Sequence, residues 1–287
     1  MRIEENMTLV YDLKLDRLRN QKVCEKEWNL EGWDASLQRM TPEQRAAWIA
    51  GYKKRNDEFA AKKLQGEELV KWKYQSYLRD YLRCVKTVDD EIGRLLDYLE
   101  KENLMDNTII VYTSDQGFYM GEHGWFDKRF MYEESFRTPL IICCLGKIKP
   151  GTVCEALVQN IDYAPTYLEA AGLTKPDYME GESLFPLFDG KTPETWRKYL
   201  YYHYYDYPAI HNVRRHDGVR DARYKLIHFY GEKNEKDDAI NACELYDLQK
   251  DPCELNNLYG KKEYQPIVDR LQKQLDTFRK DLKVDEY

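Results

Sequence analysis

Apolar residues recur every three or four positions between residues 67 and 103, which is the spacing of one face of an α-helix. The pattern predicts a long helix over these residues. Its predicted buried stripe consists of Leu78, Leu82, Val85, Val88, Ile92, Leu95, Leu96 and Leu99. A shorter helix, ending near residue 62, is predicted to begin after Thr41. Thr41 and Gln44 occupy the two positions of a capping box, and Pro42 suits the first helical position.

The long helix leads into a continuous β-branched run, Ile109-Ile-Val111, which predicts a strand covered on both faces. A second apolar strand is predicted at Leu140–Ile142. Two cysteines, Cys143 and Cys144, end it and are expected to act as small apolar residues. A helix followed by a buried strand is the unit of a layered α/β sheet, so we expect the first strand to be a parallel strand that ends at Asp115.

The last third of the chain has a different pattern. A short helix is predicted from Asp162, as its capping residue, to a stop at Gly172. Beyond a connector near residue 190, four short strand candidates precede an amphipathic helix that carries Leu271 and Leu275. The strand candidates are Leu200–Tyr205, Val219–Ala222, Tyr224–Tyr230 and Glu244–Leu248. We therefore predict two domains, residues 1–192 in an α/β layer and residues 193–287 in a small α+β lobe.

Composition narrows the function classes. The 287 residues include 44 basic and 51 acidic side chains, for a net charge of −7, which argues against general nucleic-acid binding. The seven cysteines are odd in number and lack Cys-x-x-Cys spacing, so neither a disulfide framework nor a zinc site is expected. No apolar stretch reaches the roughly 18 residues of a membrane span, and the first residues lack the apolar core of a signal peptide.

The candidate chemistry lies between the two predicted strands of the first domain. Asp115 follows the first strand directly, and ligands of open α/β sheets bind at the carboxyl ends of strands. His123 and Lys128 lie in the glycine-rich loop that follows. The alternative is structural: Asp115 caps the loop, His123 is a surface residue, and Lys128 pairs with Glu133 or with the neighbouring Glu134.

The string from residue 107 to residue 142 resembles the second signature of the sulfatase family. The matching elements are Thr113-Ser-Asp-Gln-Gly117, Gly121-Glu-His-Gly124 and Phe126-Asp-Lys-Arg-Phe-Met-Tyr-Glu133, followed by Arg137-Thr-Pro-Leu-Ile141. The third element is most similar to the branch that acts on glucosamine 6-sulfates. The strings Arg223–Tyr230 and Glu244–Pro252 also resemble the C-terminal lobe of bacterial sulfatases.

The resemblance implies an alkaline-phosphatase-like layered α/β fold, incomplete on one side of its sheet, with a small α+β lobe. It implies hydrolysis of sulfuric esters on sulfated sugars, most specifically 6-O-sulfated N-acetylglucosamine of glycosaminoglycans. In the family, Asp115 and Gln116 correspond to residues that complete a calcium site, although many members have Asn or His at the second position. Lys128 corresponds to the lysine that contacts the sulfate group, and His123 is expected to donate to the sugar or to the leaving oxygen.

A second group of candidates lies between residues 203 and 216, where three of the five histidines are found. An aromatic and basic loop suits an anionic sugar, because rings stack on it and guanidinium groups pair with its charges. The resemblance implies that His211, Arg214, Arg215 and His216 contact the substrate. The alternative is that this loop only packs the lobe onto the rest of the protein.

One family motif is absent from these residues. Sulfatases carry Cys-x-Pro-x-Arg or Ser-x-Pro-x-Arg, whose first residue becomes the formylglycine nucleophile, and no such string occurs in the 287 residues. We therefore expect the chain to be the C-terminal portion of a sulfatase, inactive alone, with the N-terminal half as its partner. Two alternatives are a remnant that binds sulfated sugar without cleaving it, and a phosphatase or phosphodiesterase, which would need more metal-binding histidines. Family members are usually periplasmic or secreted.

Overall fold

The computed structural model describes residues 39–207, 213–231 and 241–284. Contacts between α-carbons divide the chain into two compact units. The first comprises Met1–Tyr98 and Tyr119–Asp127, and the second comprises Leu99–Phe118 and Lys128–Tyr287. The domain boundary predicted near residue 192 stays a prediction. Within the described residues, no helix is both long enough and apolar enough to cross a bilayer.

Two helices dominate the first unit, α1 (Pro42–Lys62) and α2 (Gly66–Lys101). The predicted capping box is confirmed, because the Gln44 amide donates to Thr41 Oγ1 at 3.2 Å and the Thr41 amide donates to Gln44 Oε1 at 3.0 Å. The helices contact each other through the rings of Phe59 and Trp72, whose centroids are 4.1 Å apart. A salt bridge of 2.6 Å joins Arg55 to Asp80.

The apolar stripe of α2 is less buried than its spacing predicts. Leu82, Val85, Val88 and Leu95 keep 45–52% of their surface exposed among the described residues. The ring contact at Trp72 and the salt bridge at Asp80, through which α1 contacts α2, both precede this part of the stripe. The prediction of one continuous buried stripe is therefore wrong here, because helical spacing identifies an apolar face but not the element that covers it.

In the second unit, β1 (Ile109–Thr113) pairs with β4 (Leu140–Cys144). The strand ends before Asp115, as predicted, but its partner in the described residues runs antiparallel, with Val111 opposite Ile142. The connection between them contains no helix longer than the four-residue α3 (Glu133–Phe136) and returns the chain at the end of the sheet where it left. An antiparallel pair follows from that path.

The described residues cover one face of this two-stranded sheet and leave the other exposed. Leu140 and Ile142 pack against the cluster of Leu184, Leu187, Phe188 and Trp196. On the other face, the paired residues Tyr112 and Ile141 are 41% and 63% exposed. The prediction of a strand covered on both faces is thus not met in the described residues. A sheet that is incomplete on one side has this arrangement.

The next helix is α4 (Tyr163–Ala170), and Gly172 ends it as predicted, with a φ of 71°. Asp162, however, makes no side-chain cap at this helix. Its buried carboxylate instead accepts the amides of Gln159 and Glu182 at 2.7 and 2.9 Å and pairs with Arg197. Asp162 therefore occupies the predicted N-cap position, but its side chain makes this ion pair and these amide contacts and no capping hydrogen bond at α4.

The C-terminal lobe is a four-stranded antiparallel sheet with one helix. Its strands lie side by side in chain order: β5 (Leu200–Tyr204), β6 (His216–Arg220), β7 (Tyr224–Tyr230) and β8 (Asn241–Asp247). The final helix α5 (Gln265–Asp281) buries Leu271 and Leu275 in a core with the sheet residues Val219, Leu226 and Leu245. The antiparallel sheet and final helix predicted for the small α+β lobe are therefore present.

Candidate active site

The two predicted metal ligands lie side by side just past the end of β1. Gln116 Nε2 donates to Asp115 Oδ2 at 3.3 Å, and Ser114 Oγ donates to the Gln116 carbonyl at 2.8 Å. Asp115 is exposed and Gln116 is half-buried. A carboxylate and an amide oxygen are the donor types that calcium prefers. The pair therefore fits a calcium ion in kind. It fits only partly in number, because the described residues contain no group of three or more His, Cys, Asp or Glu side chains that could hold a metal.

The backbone after these ligands is held by a close approach to α3. The Gly117 amide donates to the Ser135 carbonyl at 2.8 Å. A β-carbon at Gly117 would lie 2.0 Å from the Glu134 carbonyl oxygen, so only glycine allows this contact. Ser135 itself is 5% exposed. The segment that carries Asp115 and Gln116 is thereby fixed to the segment that follows Lys128.

Lys128 lies between two residues with unfavourable backbone conformations. Asp127 and Arg129 have φ values of 100° and 103°, which non-glycine residues rarely adopt. The Arg129 amide donates to Ser135 Oγ at 2.8 Å, and the Tyr202 hydroxyl donates to the Arg129 carbonyl at 2.7 Å. Such strain persists only where surrounding contacts enforce it, and it is frequent at functional sites.

One of the two alternative partners of Lys128, Glu133, is paired with other residues. Glu133 makes a bidentate ion pair with Arg220 at 2.9 and 3.0 Å and a second ion pair with Lys225 at 2.8 Å. The structural interpretation that pairs Lys128 with Glu133 is therefore not what the structure contains. The half-buried Lys128 side chain stays compatible with a role at the site.

His123 belongs to the first unit, at the tip of a small hairpin formed by β2 (Tyr119–Met120) and β3 (Phe126–Asp127). Its backbone is left-handed, with a φ of 56°. The ring lies about equally far from those of Tyr119 and Trp125, with both centroid distances at 6.0 Å. The hairpin thus presents a half-buried imidazole on a tight turn.

The second group of candidates has mixed surroundings, and His211 lies outside the described residues. The Arg214 guanidinium is half-buried and lies 4.5 Å from the centroid of the Tyr207 ring. Arg215 is 7% exposed and donates to the carbonyls of Tyr205 and Tyr207 at 3.1 and 2.9 Å. The buried Arg215 side chain therefore stabilises the backbone at Tyr205 and Tyr207.

His216 is fully buried between the rings of Phe130 and Tyr204, at centroid distances of 5.6 Å from each. Burial lowers the pKa of His216 to about 4, so the imidazole is neutral at pH 7. A buried neutral ring cannot pair with a sulfate as a cation. For Arg215 and His216, the surroundings favour the structural alternative over the predicted substrate contacts, which stay untested.

Sequence reasoning missed two buried charged residues, Lys225 and Glu254, that contact the segment following Lys128. Lys225 and Glu254, 0% and 2% exposed, form a salt bridge of 2.8 Å. Burial raises the pKa of Glu254 even though the Lys225 ammonium opposes this. The signal for Lys225 was present, because a lysine inside the apolar run Tyr224–Tyr230 has to find a partner if it is buried.

Two family models match this chain. The family model described as Sulfatase matches residues 33–173, and the one described as N-sulphoglucosamine sulphohydrolase, C-terminal, matches residues 121–281. The chain belongs to the sulfatase family. The matches overlap over the loop that carries His123 and Lys128, and together they cover the chain from residue 33 to residue 281.

Individual relatives agree with the family match. The chain is 47% identical over 285 residues to an N-acetylglucosamine-6-O-sulfatase of Bacteroides thetaiotaomicron, covering 99% of this chain and 49% of the relative. It is 31% identical over 195 residues to the bovine N-acetylglucosamine-6-sulfatase, covering 60% of this chain and 35% of the relative. The sulfatase chain thus spans about half the length of its bacterial relative.

A solved structure of a protein in complex with its substrate, D-glucosamine-2-N,6-O-disulfate, matches the whole chain. The TM-score is 0.86 and the identity 46%, and the match covers 100% of this chain and 56% of that one. The phosphonate monoester hydrolase of Silicibacter pomeroyi matches with a TM-score of 0.65 at 26% identity, covering 87% and 47% of the two chains. The predicted alkaline-phosphatase-like fold is confirmed, with this chain spanning part of it.

Proposed function

We propose that this chain forms part of a sulfatase that hydrolyses the 6-O-sulfate ester of N-acetylglucosamine or of a related glycosaminoglycan sugar. The observation that carries the proposal is the 47% identity, over nearly the whole chain, to a protein named N-acetylglucosamine-6-O-sulfatase. The strained, glycine-dependent loop around Asp115 and Lys128 supports it, since such loops are frequent at functional sites.

A sulfate ester resists hydrolysis because its negative charge repels nucleophiles and the departing alkoxide is a poor leaving group. The protein has to neutralise the oxygens of the transferred group and stabilise the departing oxygen. We assign Asp115 and Gln116 as ligands of a calcium ion, which when bound supplies positive charge to the sulfate oxygens. Lys128 is assigned to a sulfate oxygen, and its ammonium is a proton source near the leaving group.

The sugar is assigned to His123 and to the loop that carries Arg214. His123 is placed as a donor to the sugar or to the departing oxygen. The Arg214 guanidinium, packed on the Tyr207 ring, suits a second anionic group of a glycosaminoglycan sugar. His211 keeps its proposed place in this group, whereas the burial of Arg215 and His216 supports a role in shaping the loop.

The remaining parts of the site are proposed to come from an N-terminal half of the sulfatase domain, including the formylglycine nucleophile. Two features support a partner of this kind. The sheet face at Tyr112 and Ile141 and the stripe of α2 from Leu82 to Leu95 are both apolar and exposed. Contiguous exposed apolar surfaces commonly mark interaction sites.

The test is an activity assay of the 287 residues, alone and mixed with the N-terminal half of the Bacteroides relative. The chain alone is expected to release no sulfate from 6-O-sulfated N-acetylglucosamine, because no nucleophile motif occurs in it. Calorimetry should detect weak calcium binding or none, because Asp115 and Gln116 supply a minority of the roughly six to eight oxygens that calcium takes. Mixing the two halves should restore both sulfate release and calcium binding.

Robust sulfate release by the chain alone would show a nucleophile outside the family motif and would contradict the proposed division of the site. If mixing restores calcium binding and affinity for the sulfated sugar without turnover, the chain belongs to a protein that binds sulfated carbohydrate and does not cleave it. A matched control is the same mixture assayed on the unsulfated sugar.

A further inference from the structure

A buried ionic cluster joins the C-terminal lobe to the segment that follows Lys128. Its central residue is Lys225 on β7, whose side chain is 0% exposed. The ammonium lies 2.8 Å from Glu133 Oε1 and 2.8 Å from Glu254 Oε1, and it donates to the Met131 carbonyl at 2.7 Å. Two carboxylate oxygens and one carbonyl oxygen therefore lie within 2.8 Å of the buried ammonium.

The cluster is balanced in charge. Arg220 on β6 adds a second cation through its bidentate pair with Glu133. The Glu254 carboxylate accepts the Glu133 amide through its other oxygen at 2.6 Å. Two cations thus face two carboxylates. A buried charge requires such partners, since an unpaired one is strongly unfavourable in the interior.

Every contact of Lys225 on the loop falls within residues 131–136. Besides the Met131 carbonyl and Glu133, the ammonium lies 5.5 Å from the centroid of the Phe136 ring. Met131 is 0% exposed, and its sulfur occupies the space that a β-carbon at Gly218 would need, 2.5 Å from the ideal position. Segment 131–136 is therefore fixed to β6 and β7 by both charge and packing.

The same segment contacts the neighbours of Lys128 and of the candidate metal ligand Gln116 through one residue, Ser135. Its hydroxyl accepts the Arg129 amide, next to Lys128, at 2.8 Å, and its carbonyl accepts the Gly117 amide, next to Gln116, at 2.8 Å. An unbroken chain of contacts thus leads from Lys225 through residues 131–136 to the calcium-ligand segment and to Lys128. Lys225 is thereby linked to both segments, although it lies far from either in sequence.

We propose that Lys225 is a positioning residue of the sulfatase site: its ion pairs within the C-terminal lobe set the place of Asp115, Gln116 and Lys128. The inference rests on the proposed function for the roles of those three residues. Lys225 itself touches no reacting group. It acts by holding residues 131–136 where Ser135 can bond both flanking segments, which explains why the site depends on a lobe that contributes few of the proposed ligands.

The test is NMR-detected amide hydrogen exchange on the 287-residue chain, with Lys225→Met as the main variant. Methionine keeps the length and apolar stem of lysine but removes its charge and three donors. Exchange of the Gly117, Arg129 and Glu133 amides is expected to become about tenfold faster or more, because local opening exposes them. The Leu245 amide in β8, bonded to Asn257 Oδ1 at 3.0 Å, reports the fold of the lobe and should change far less.

Two further variants separate positioning from general stability. Arg279→Met removes a buried bidentate pair with Asp217 in the same lobe, with both distances 2.7 Å, and touches nothing in residues 131–136. It should leave the exchange at Gly117 and Arg129 unchanged relative to that at Leu245. Ser135→Ala removes only the hydroxyl, so it should speed exchange at Arg129 and leave Gly117, which bonds the Ser135 carbonyl, protected.

Unchanged exchange at Gly117 and Arg129 in Lys225→Met would overturn the inference, and so would equal acceleration at Leu245. If Lys225→Met fails to fold, the Ser135→Ala variant provides the test. Unchanged exchange of the Arg129 amide in that variant would count against the inference. In the full-length sulfatase, Lys225→Met should lower kcat about tenfold or more while KM changes little, whereas Arg279→Met should keep kcat. Absence of hydrolysis by the unaltered full-length protein would reject the proposed function and leave the exchange result standing.

Discussion

Replacing Asp115 with alanine is expected to remove bound calcium and sulfatase activity together from the full-length protein. The Asp115 carboxylate is exposed just past the end of β1. It is the charged member of the proposed ligand pair, and a hard cation depends on carboxylate charge for affinity. We expect activity to fall by more than about a thousandfold, since several charge-stabilising interactions are lost at once.

Lys128→Ala is the variant that separates the two roles. It should leave the calcium content unchanged and lower kcat by about a hundred- to a thousandfold, the loss typical of one group that stabilises transition-state charge. Metal analysis and steady-state kinetics on both full-length variants would measure this. Calcium loss in Lys128→Ala, or retained activity in Asp115→Ala, would show that the assignments are wrong.

The chain offers matched controls for both variants. Asp106 is an exposed aspartate just before β1, at the opposite end of the strand from Asp115, and Lys149 is an exposed lysine on a turn. Alanine at either position should change calcium content and kcat little, because surface substitutions away from special features are usually close to neutral. A large effect of Asp106→Ala would indicate that the assay reports stability and not metal binding.

Gly117→Ala is expected to disrupt the site without any change of charge. Its β-carbon would lie 2.0 Å from the Glu134 carbonyl oxygen and 3.0 Å from that of Arg137, and both are backbone atoms that cannot rotate away. Segments 114–118 and 133–137 would have to separate, which breaks the bond from the Gly117 amide to Ser135. We expect unfolding free energy to fall by about 1–3 kcal/mol or more, as for overpacking in a close-packed interior.

Activity of the full-length Gly117→Ala protein should fall with the displacement of Gln116. The control is Gly93→Ala in α2, where a β-carbon meets nothing within 4 Å. That substitution is expected to raise the unfolding free energy by up to about 1 kcal/mol, because alanine favours the helix over glycine. Chemical denaturation of both variants would measure the difference, and a Gly117→Ala protein as stable as the unaltered one would contradict the close approach.

Local sequence patterns predicted several of the helices and strands. The capping box at Thr41 forms as its spacing requires, and the strand predicted at Tyr224–Tyr230 has those same bounds in the structure. Each depends on residues only a few positions apart. The candidate Asp115 follows from the same logic, since the end of an apolar run marks the end of β1 and places Asp115 just past it.

Tertiary structure decided what covers each apolar face and what each buried charge pairs with. The spacing along α2 is the same whether its stripe is buried or exposed, so the exposure of Leu82 could not be read from it. The Lys225 ammonium donates to the Met131 carbonyl, 94 positions away in sequence. The Glu254 carboxylate accepts the Glu133 amide, 121 positions away. The sequence alone determines helices, strands and candidate chemistry because these follow from near neighbours. The contacts that hold the site together depend on strand register and loop path, which only the folded chain defines.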